Sequence, residues 1–434
     1  MGKDKKESLI FIFEIWLMLA ICYLHSLNAG HYADFYPING TFQNFNPVRR
    51  LLSGQIPYRD FQDYLGLGHL YTGTIMTLIL GGDYRGSLVA FSFLSIAGLA
   101  FLSIMIGIAL FKRKEIAVAL TDMLLLMLLI QPLFFVNNIA GMDDILGTLK
   151  NALETGNSAR FVRGMILPIS CFLVWYSFGV VDAISIRKKL TERQKELFFY
   201  VGVGLVAGFS FGWSNDYGIS CWVCLLVMTF WISICRTKKF WVSLRLTLIE
   251  IVSSIVSIFI CIEIFTAGHF LQWLKFTFGT GGYQSWYYNS YKSYYLYNID
   301  ITYIMLIQAG LTILYLWKLF IFKGSREAIK RYGILAFANM TCFCAVNEYQ
   351  ILSGGGNREI ALVVLFLTVL FQMLSSCRNL LDKVQFKKII NTGTILVGVA
   401  WCVSSAKEEI IFSLFTEKDG VYVEALGGNL MERG

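Results

Sequence analysis

Long apolar runs alternate with short basic segments and longer mixed ones along the whole chain. A membrane-spanning helix needs about 20 mostly apolar residues. Runs near that length occupy 8–27, 86–111, 116–136, 164–186, 197–212, 217–235, 243–266, 301–322, 332–349, 359–376 and 389–405. They predict an all-α polytopic membrane protein with about eleven transmembrane helices. One more apolar run, 69–81, begins at His69 and is too short to cross without thinning the bilayer. The segment 44–53 places Phe45, Val48, Leu51 and Leu52 at amphipathic spacing, which predicts a helix along the membrane surface.

Charge placement decides how the short run is treated. With 69–81 as a re-entrant or surface helix and the N-terminus in the cytoplasm, 24 of the 37 basic residues fall inside. If it spanned, every later loop would change sides and most of that excess would lie outside. The positive-inside rule therefore favours a cytoplasmic N-terminus and an extracytoplasmic C-terminus, in the plasma membrane. The Lys-rich start and the apolar run behind it predict an uncleaved first span that also acts as the insertion signal. The expected organisation is a transmembrane domain over 1–405, with the first outer loop and its short helix at 28–85, and an outer tail at 406–434. That tail ends in GVYVEALGGNLMERG, too little to form a domain, which predicts a truncated version of a longer protein.

Composition narrows the class. Hydrophobic residues make up 56% of the chain and charged residues 15%, against about 25% in soluble domains. Mean hydropathy is +0.59. These values exclude a cytosolic enzyme, a disordered chain and a disulfide-rich secreted module. The net charge of +8 comes from loops between spans, so it is no signal for nucleic acid. Ten cysteines lie in or at the ends of apolar runs. Cys221 and Cys224 form a C-x-x-C inside a span, where packing explains them better than redox chemistry or zinc.

The outer loops carry the chemically rich sequence. The first reads HYADFYPINGTFQNFNPVRRLLSGQIPYRDFQDYLGLGHLY from His31 to Tyr71, with Asp34, Asp60 and Asp63 and with Arg49 and Arg50. A long first outer loop with an early acid, then GQIPYRDF and a short apolar helix, resembles the integral-membrane glycosyltransferases of the GT-C superfold. The protein O-mannosyltransferases and lipid A aminoarabinose transferases carry a similar G-x-x-P-Y-x-D stretch. Their short helix opens with a proline pair, whereas Leu67-Gly68-His69-Leu70 stands here. The stretch from Asn39 to Tyr71 looks more like bacterial surface-polysaccharide enzymes of that superfold. The local likeness covers about 40 residues.

The resemblance implies transfer of a sugar from a polyprenyl-phosphate carrier to a glycan acceptor at the outer leaflet, with inversion. It implies an acid in the first outer loop as general base, for which Asp34 is the candidate. A carboxylate within hydrogen-bond reach of a hydroxyl contributes roughly 10²–10⁴-fold to such a step. The alternative for Asp34 is a loop residue or an ion-pair partner of Arg49 or Arg50. Asp60 either contacts sugar or orients Asp34, or it caps the turn after Pro57-Tyr58. Asp63 reads as a solvated acid, or as a substrate contact beside Asp60. With Asp34 the two could hold a divalent cation, though their spacing is too loose to call for one.

Further candidates stand later in the chain. Arg358 follows Gly354-Gly355-Gly356-Asn357 and would either hold a carrier phosphate or anchor the span end beside Glu359. Asn215 and Asp216 form a tight turn between two spans, rich in groups that bind sugar hydroxyls. Arg160 and Arg163 are either a second phosphate contact or interface anchors. The run YQSWYYNSYKSYYLY at 283–297 reads mostly as an interfacial belt, with Trp286, Tyr287 and Tyr288 as lining for an acceptor groove. Gly202-x-Gly204 lies in a span and reads as helix packing. The four histidines show no metal-ligand spacing. A lipid-linked sugar transporter and a polysaccharide polymerase are the alternative functions.

Overall fold

The computed structural model describes residues 3–31, 41–63, 65–111, 114–129, 160–188, 190–279, 299–353, 358–376 and 392–407. Among them every regular element is a helix, and the lone strand-like pairing is the bridge between Pro57 and Phe61. Seven helices in the described residues are long and apolar enough to cross a membrane: Leu9–Leu27, Tyr84–Leu110, Phe161–Phe178, Glu192–Trp213, Tyr217–Thr237, Phe240–Phe265 and Thr302–Ile321. The protein is an all-helical, multi-pass membrane protein. Seven expected spans coincide with these helices. The other four meet the helices Lys114–Leu129, Ile334–Ser353, Arg358–Ser376 and 392–407. The short run is the helix Leu67–Ile79, and the amphipathic stretch lies in the helix Thr41–Leu52.

The chain forms two compact units. The first comprises 1–53, 70–162 and 369–434. Its centre is the helix Tyr84–Leu110, 78% buried over its most apolar window. Asp83 starts that helix by accepting from the Gly86 amide at 2.6 Å, the usual side-chain answer to an orphan first-turn N–H. Helix Lys3–His31 packs along it, and Thr41–Leu52 is fastened to it by Phe45 against Tyr84, with ring centres 5.3 Å apart. Gly107 lies so close to Ala117 that an added Cβ would come within 2.7 Å of the alanine methyl.

The second unit comprises 54–69 and 163–368. Thr191 and Gln194 form a capping box that starts helix Glu192–Trp213. This helix and Phe240–Phe265 make the closest pairing in the unit. A Cβ on Gly204 would meet the Glu250 carbonyl at 2.5 Å, and one on Gly208 would meet the Ser254 carbonyl at 2.3 Å. Ser257 Oγ donates to the Leu205 carbonyl at 2.8 Å across the same seam. Small residues four apart thus bring two backbones together, as is common where water supplies no driving force between helices. The outer side of Phe240–Phe265 exposes Val252, Ile255, Val256 and Phe259. Helix Tyr217–Thr237 packs beside this pair, and its cysteines 221 and 224 are buried free thiols.

A buried polar cluster beneath residues 54–69

Within the second unit, residues 54–69 are tied down by their own turns and by the turn at 213–216. The Ile56 carbonyl accepts from the Asp60 amide at 2.9 Å, and Asp60 Oδ2 accepts from the Ile56 amide at 2.7 Å. Asp60 also pairs with Arg59 at 2.8 Å on the exposed side. Its carboxyl is held below the usual range, chiefly by Arg59 and then by the Ile56 amide. Of the two roles weighed for Asp60, the turn cap is the one its contacts display. Tyr58 adopts a left-handed φ of 65°, and its hydroxyl donates to the Asp63 carbonyl. Its ring packs on Phe276 with centres 5.7 Å apart, so the tyrosine turns inward and is 7% exposed.

Asp63 is not solvated. It is 6% exposed, and its Oδ1 accepts from the Leu65 amide at 2.8 Å and the Gly66 amide at 3.3 Å. A short carboxylate two residues before a turn bonds forward to backbone N–H groups. Here that bonding turns the carboxylate inward, where it is buried. The Leu65 carbonyl then accepts from the Asn215 amide at 2.9 Å. Gly66, at φ +120°, and Gly68 lie flat against Trp213 and Ser214. His69 Nδ1 lies 3.3 Å from the Trp213 carbonyl, which can only accept, so Nδ1 carries the proton. That carbonyl is one of the orphan acceptors at the end of helix Glu192–Trp213.

Arg163 and Asp216 complete the cluster. They form an ion pair with side chains only 3% and 7% exposed. Asp216 also accepts from the Tyr217 amide at 2.7 Å, capping helix Tyr217–Thr237. Burying such a pair costs several kcal/mol per ion, which good geometry offsets only in part. Arg163 is therefore no interface anchor. Asn215 and Asp216 do lie together in the expected turn, with Asn215 held through its backbone.

Burial pushes the Asp63 carboxyl up to about 6, against the pull of the Leu65 and Gly66 amides and of Arg163. Burial, and then Arg163, push the His69 imidazole down to about 4, against the Trp213 carbonyl and Asp216. The two shifts act on stability with opposite sign. A carboxyl raised in the fold contributes stability below its unfolded pKa that is lost as pH rises through 6. A histidine lowered in the fold contributes stability above its unfolded pKa that is lost as pH falls through 4. Across pH 4–6 the contributions cancel, because folded and unfolded chains carry the same number of protons on the pair. The Asp63→Asn variant should therefore lose melting temperature as pH falls from 6.5 to 4, and His69→Gln should lose it as pH rises from 4 to 6. Thermal melts in detergent across that range check both slopes, and flat profiles in both variants would remove the coupling.

Arg49 and Arg50 end the helix Thr41–Leu52 in the first unit, where Arg49 donates to Asn46 at 3.4 Å. Arg358 opens the helix Arg358–Ser376, and its side chain lies outside the described residues, as do Asp34, Trp286 and Tyr287. Among the described residues no group of three or more His, Cys, Asp or Glu side chains could hold a metal ion. Sequence reading missed His69 and Tyr58. For His69 the signal is Gly66-x-Gly68 just before it, which marks a place where backbone approaches closely; nothing local marks Tyr58. Comparison with protein-family models, curated proteins and solved structures gives no match for this chain.

Proposed function

We propose that the protein is a membrane glycosyltransferase that moves a sugar from a polyprenyl-phosphate carrier to a cell-surface glycan or lipid acceptor. In this reading the chain spans the plasma membrane about eleven times with its N-terminus inside, and residues 28–85 face outward. The observation that supports it most is the docking of residues 65–69, just after the GQIPYRDF segment, onto the 213–216 turn beside the buried Asp63 and the Arg163–Asp216 pair. Buried ionisable groups are costly to keep, and within a membrane protein they are a functional-site hypothesis by default. Their position would place the first outer loop at headgroup depth, where a carrier phosphate lies.

The reaction needs a hydroxyl of the acceptor to attack the anomeric carbon. The bond from that carbon to the carrier phosphate oxygen breaks, and the phosphate leaves with the electron pair. The acceptor proton passes to a carboxylate, in our proposal that of Asp34. Asp60, Arg49, Arg50, Asn215, Arg358, Trp286 and Tyr287 are proposed to bind donor or acceptor, and Asp63 to position the loop. A divalent cation would be an addition for which the described acids make no cluster.

Transfer from a panel of radiolabelled polyprenyl-phosphate sugars, by the purified full chain in nanodiscs, tests the proposal. Asp34→Asn should lower turnover by roughly 10²–10⁴-fold with the protein still folded. Unchanged turnover would exclude Asp34 as the base. A transporter reading draws on Glu14 and Asp122, 1% and 0% exposed on helices Lys3–His31 and Lys114–Leu129, since transporters keep ionisable groups within the bilayer. Carrier crossing the bilayer without sugar release would favour it.

A further inference from the structure

A half-open apolar pocket lies among the helices of the second unit. Helix Ile166–Lys188 supplies Cys171 and Val174, helix Tyr217–Thr237 supplies Met228 and Ile232, and helix Ile334–Ser353 supplies Phe337. The two hydroxyls in its wall are already engaged. Ser170 Oγ bonds Ser210 Oγ at 2.8 Å, and Thr229 Oγ1 donates to Glu250. Such a wall accepts hydrocarbon and offers little to a polar ligand.

Its rim is cationic. Lys330 Nζ lies 5.8 Å from the Trp175 ring centre, and the Arg326 guanidinium 5.4 Å from that of Phe178. Trp175 and Phe178 stand three apart on one helix, so the two cations rest side by side on neighbouring rings. The Lys330 side chain remains 32% accessible, and its ion pair with Glu327 is long, at 3.8 Å, with the acid 87% exposed. Exposed pairs of that kind hold a lysine weakly.

The third observation is backbone geometry. Residues Ile329–Gly333 form a π-helical turn, rare in proteins and frequent at functional sites. Ile329, Lys330 and Gly333 of this turn all line the cavity. The site is distinct from the polar cluster. Met228 and Ile232 stand 12 and 16 residues past Asp216 on one helix, roughly 18–24 Å along its axis. Arg236, Lys238 and Lys239 follow at that same end.

We propose that this cavity holds a hydrocarbon chain of an anionic phospholipid whose phosphate rests on Lys330 and Arg326. An apolar slot between spanning helices with two cations at its mouth matches a lipid by both of its parts, and basic pockets between such helices hold anionic headgroups. The assignment is independent of the glycosyltransferase reading.

Native mass spectrometry of the purified full chain, titrated with phosphatidylglycerol or phosphatidylcholine of identical chains, tests it. Wild type should retain phosphatidylglycerol about tenfold or more over phosphatidylcholine. Lys330→Gln with Arg326→Gln should remove that preference, because the chain slot stays open while the phosphate loses its partners. Val174→Trp should reduce retention of both lipids by filling the slot. Equal retention of the two lipids by wild type would overturn the proposal, as would a preference that survives loss of both cations. Should Val174→Trp fail to fold, the paired glutamine variant at the rim still decides.

Discussion

Replacing Arg163 with methionine is expected to destabilise the protein by about 3–5 kcal/mol, the cost of leaving a buried charge without its partner. Asp216 would stay 7% exposed, tied to the Tyr217 amide as a helix cap, with no counter-charge beside it. Asp63 would lose the guanidinium that pulls its carboxyl down, and His69 the one that pushes its imidazole down. Adding Asp216→Asn should recover much of the loss, because asparagine keeps an oxygen for the cap and removes the orphan charge. Melting temperature of the detergent-solubilised single and double variants measures this. A single variant as stable as wild type would show that the buried pair adds no stability. A stable double variant with full sugar transfer would mean that the pair holds the fold and takes no part in the reaction.

The second large effect is expected at Gly66. Its φ of +120° is open to glycine alone at low cost, and an added Cβ would come within 2.4 Å of the Ser214 Cα and 2.8 Å of the Trp213 carbonyl. Both are backbone atoms, so no side chain can swing aside. Strain of about 1–3 kcal/mol and overpacking of similar size both apply to Gly66→Ala. The hydrogen bond from the Asn215 amide to the Leu65 carbonyl should break, and residues 54–69 should become cleavable by added protease. Gly54→Ala is the matched control. Its φ is +82°, but nothing lies within 4 Å of the added carbon, so only strain applies. Equal protease resistance in Gly66→Ala and wild type would show that the 54–69 segment is held by something other than this contact.

Helix placement was legible in the sequence because each apolar run is long, and a span must satisfy its own backbone. The short helix at Leu67–Ile79 was equally legible, since its thirteen residues fall short of a crossing. The Gly204 seam also followed from position alone. What the sequence concealed was pairing over distance. Asp63 looks like any loop acid until its bonds to Leu65 and Gly66 turn it inward. Arg163 reads as an anchor until Asp216, 53 residues later, is found beside it. Burial of a charge depends on a partner from another helix, and no local pattern encodes that partner. Asp60 was legible as a turn residue because its bond to Ile56 is local.

The seam between Glu192–Trp213 and Phe240–Phe265 also bears on membrane thickness. A helix of 26 residues runs about 39 Å, whereas the hydrocarbon layer is about 30 Å. The longer helix must lean or protrude, and its partner of 22 residues, about 33 Å, need not lean as far. With Gly204 and Gly208 leaving no slack between the backbones, the two cannot tilt independently. Changes in bilayer thickness would therefore be felt by both as one body, and would reach the 213–216 turn at the end of the shorter helix.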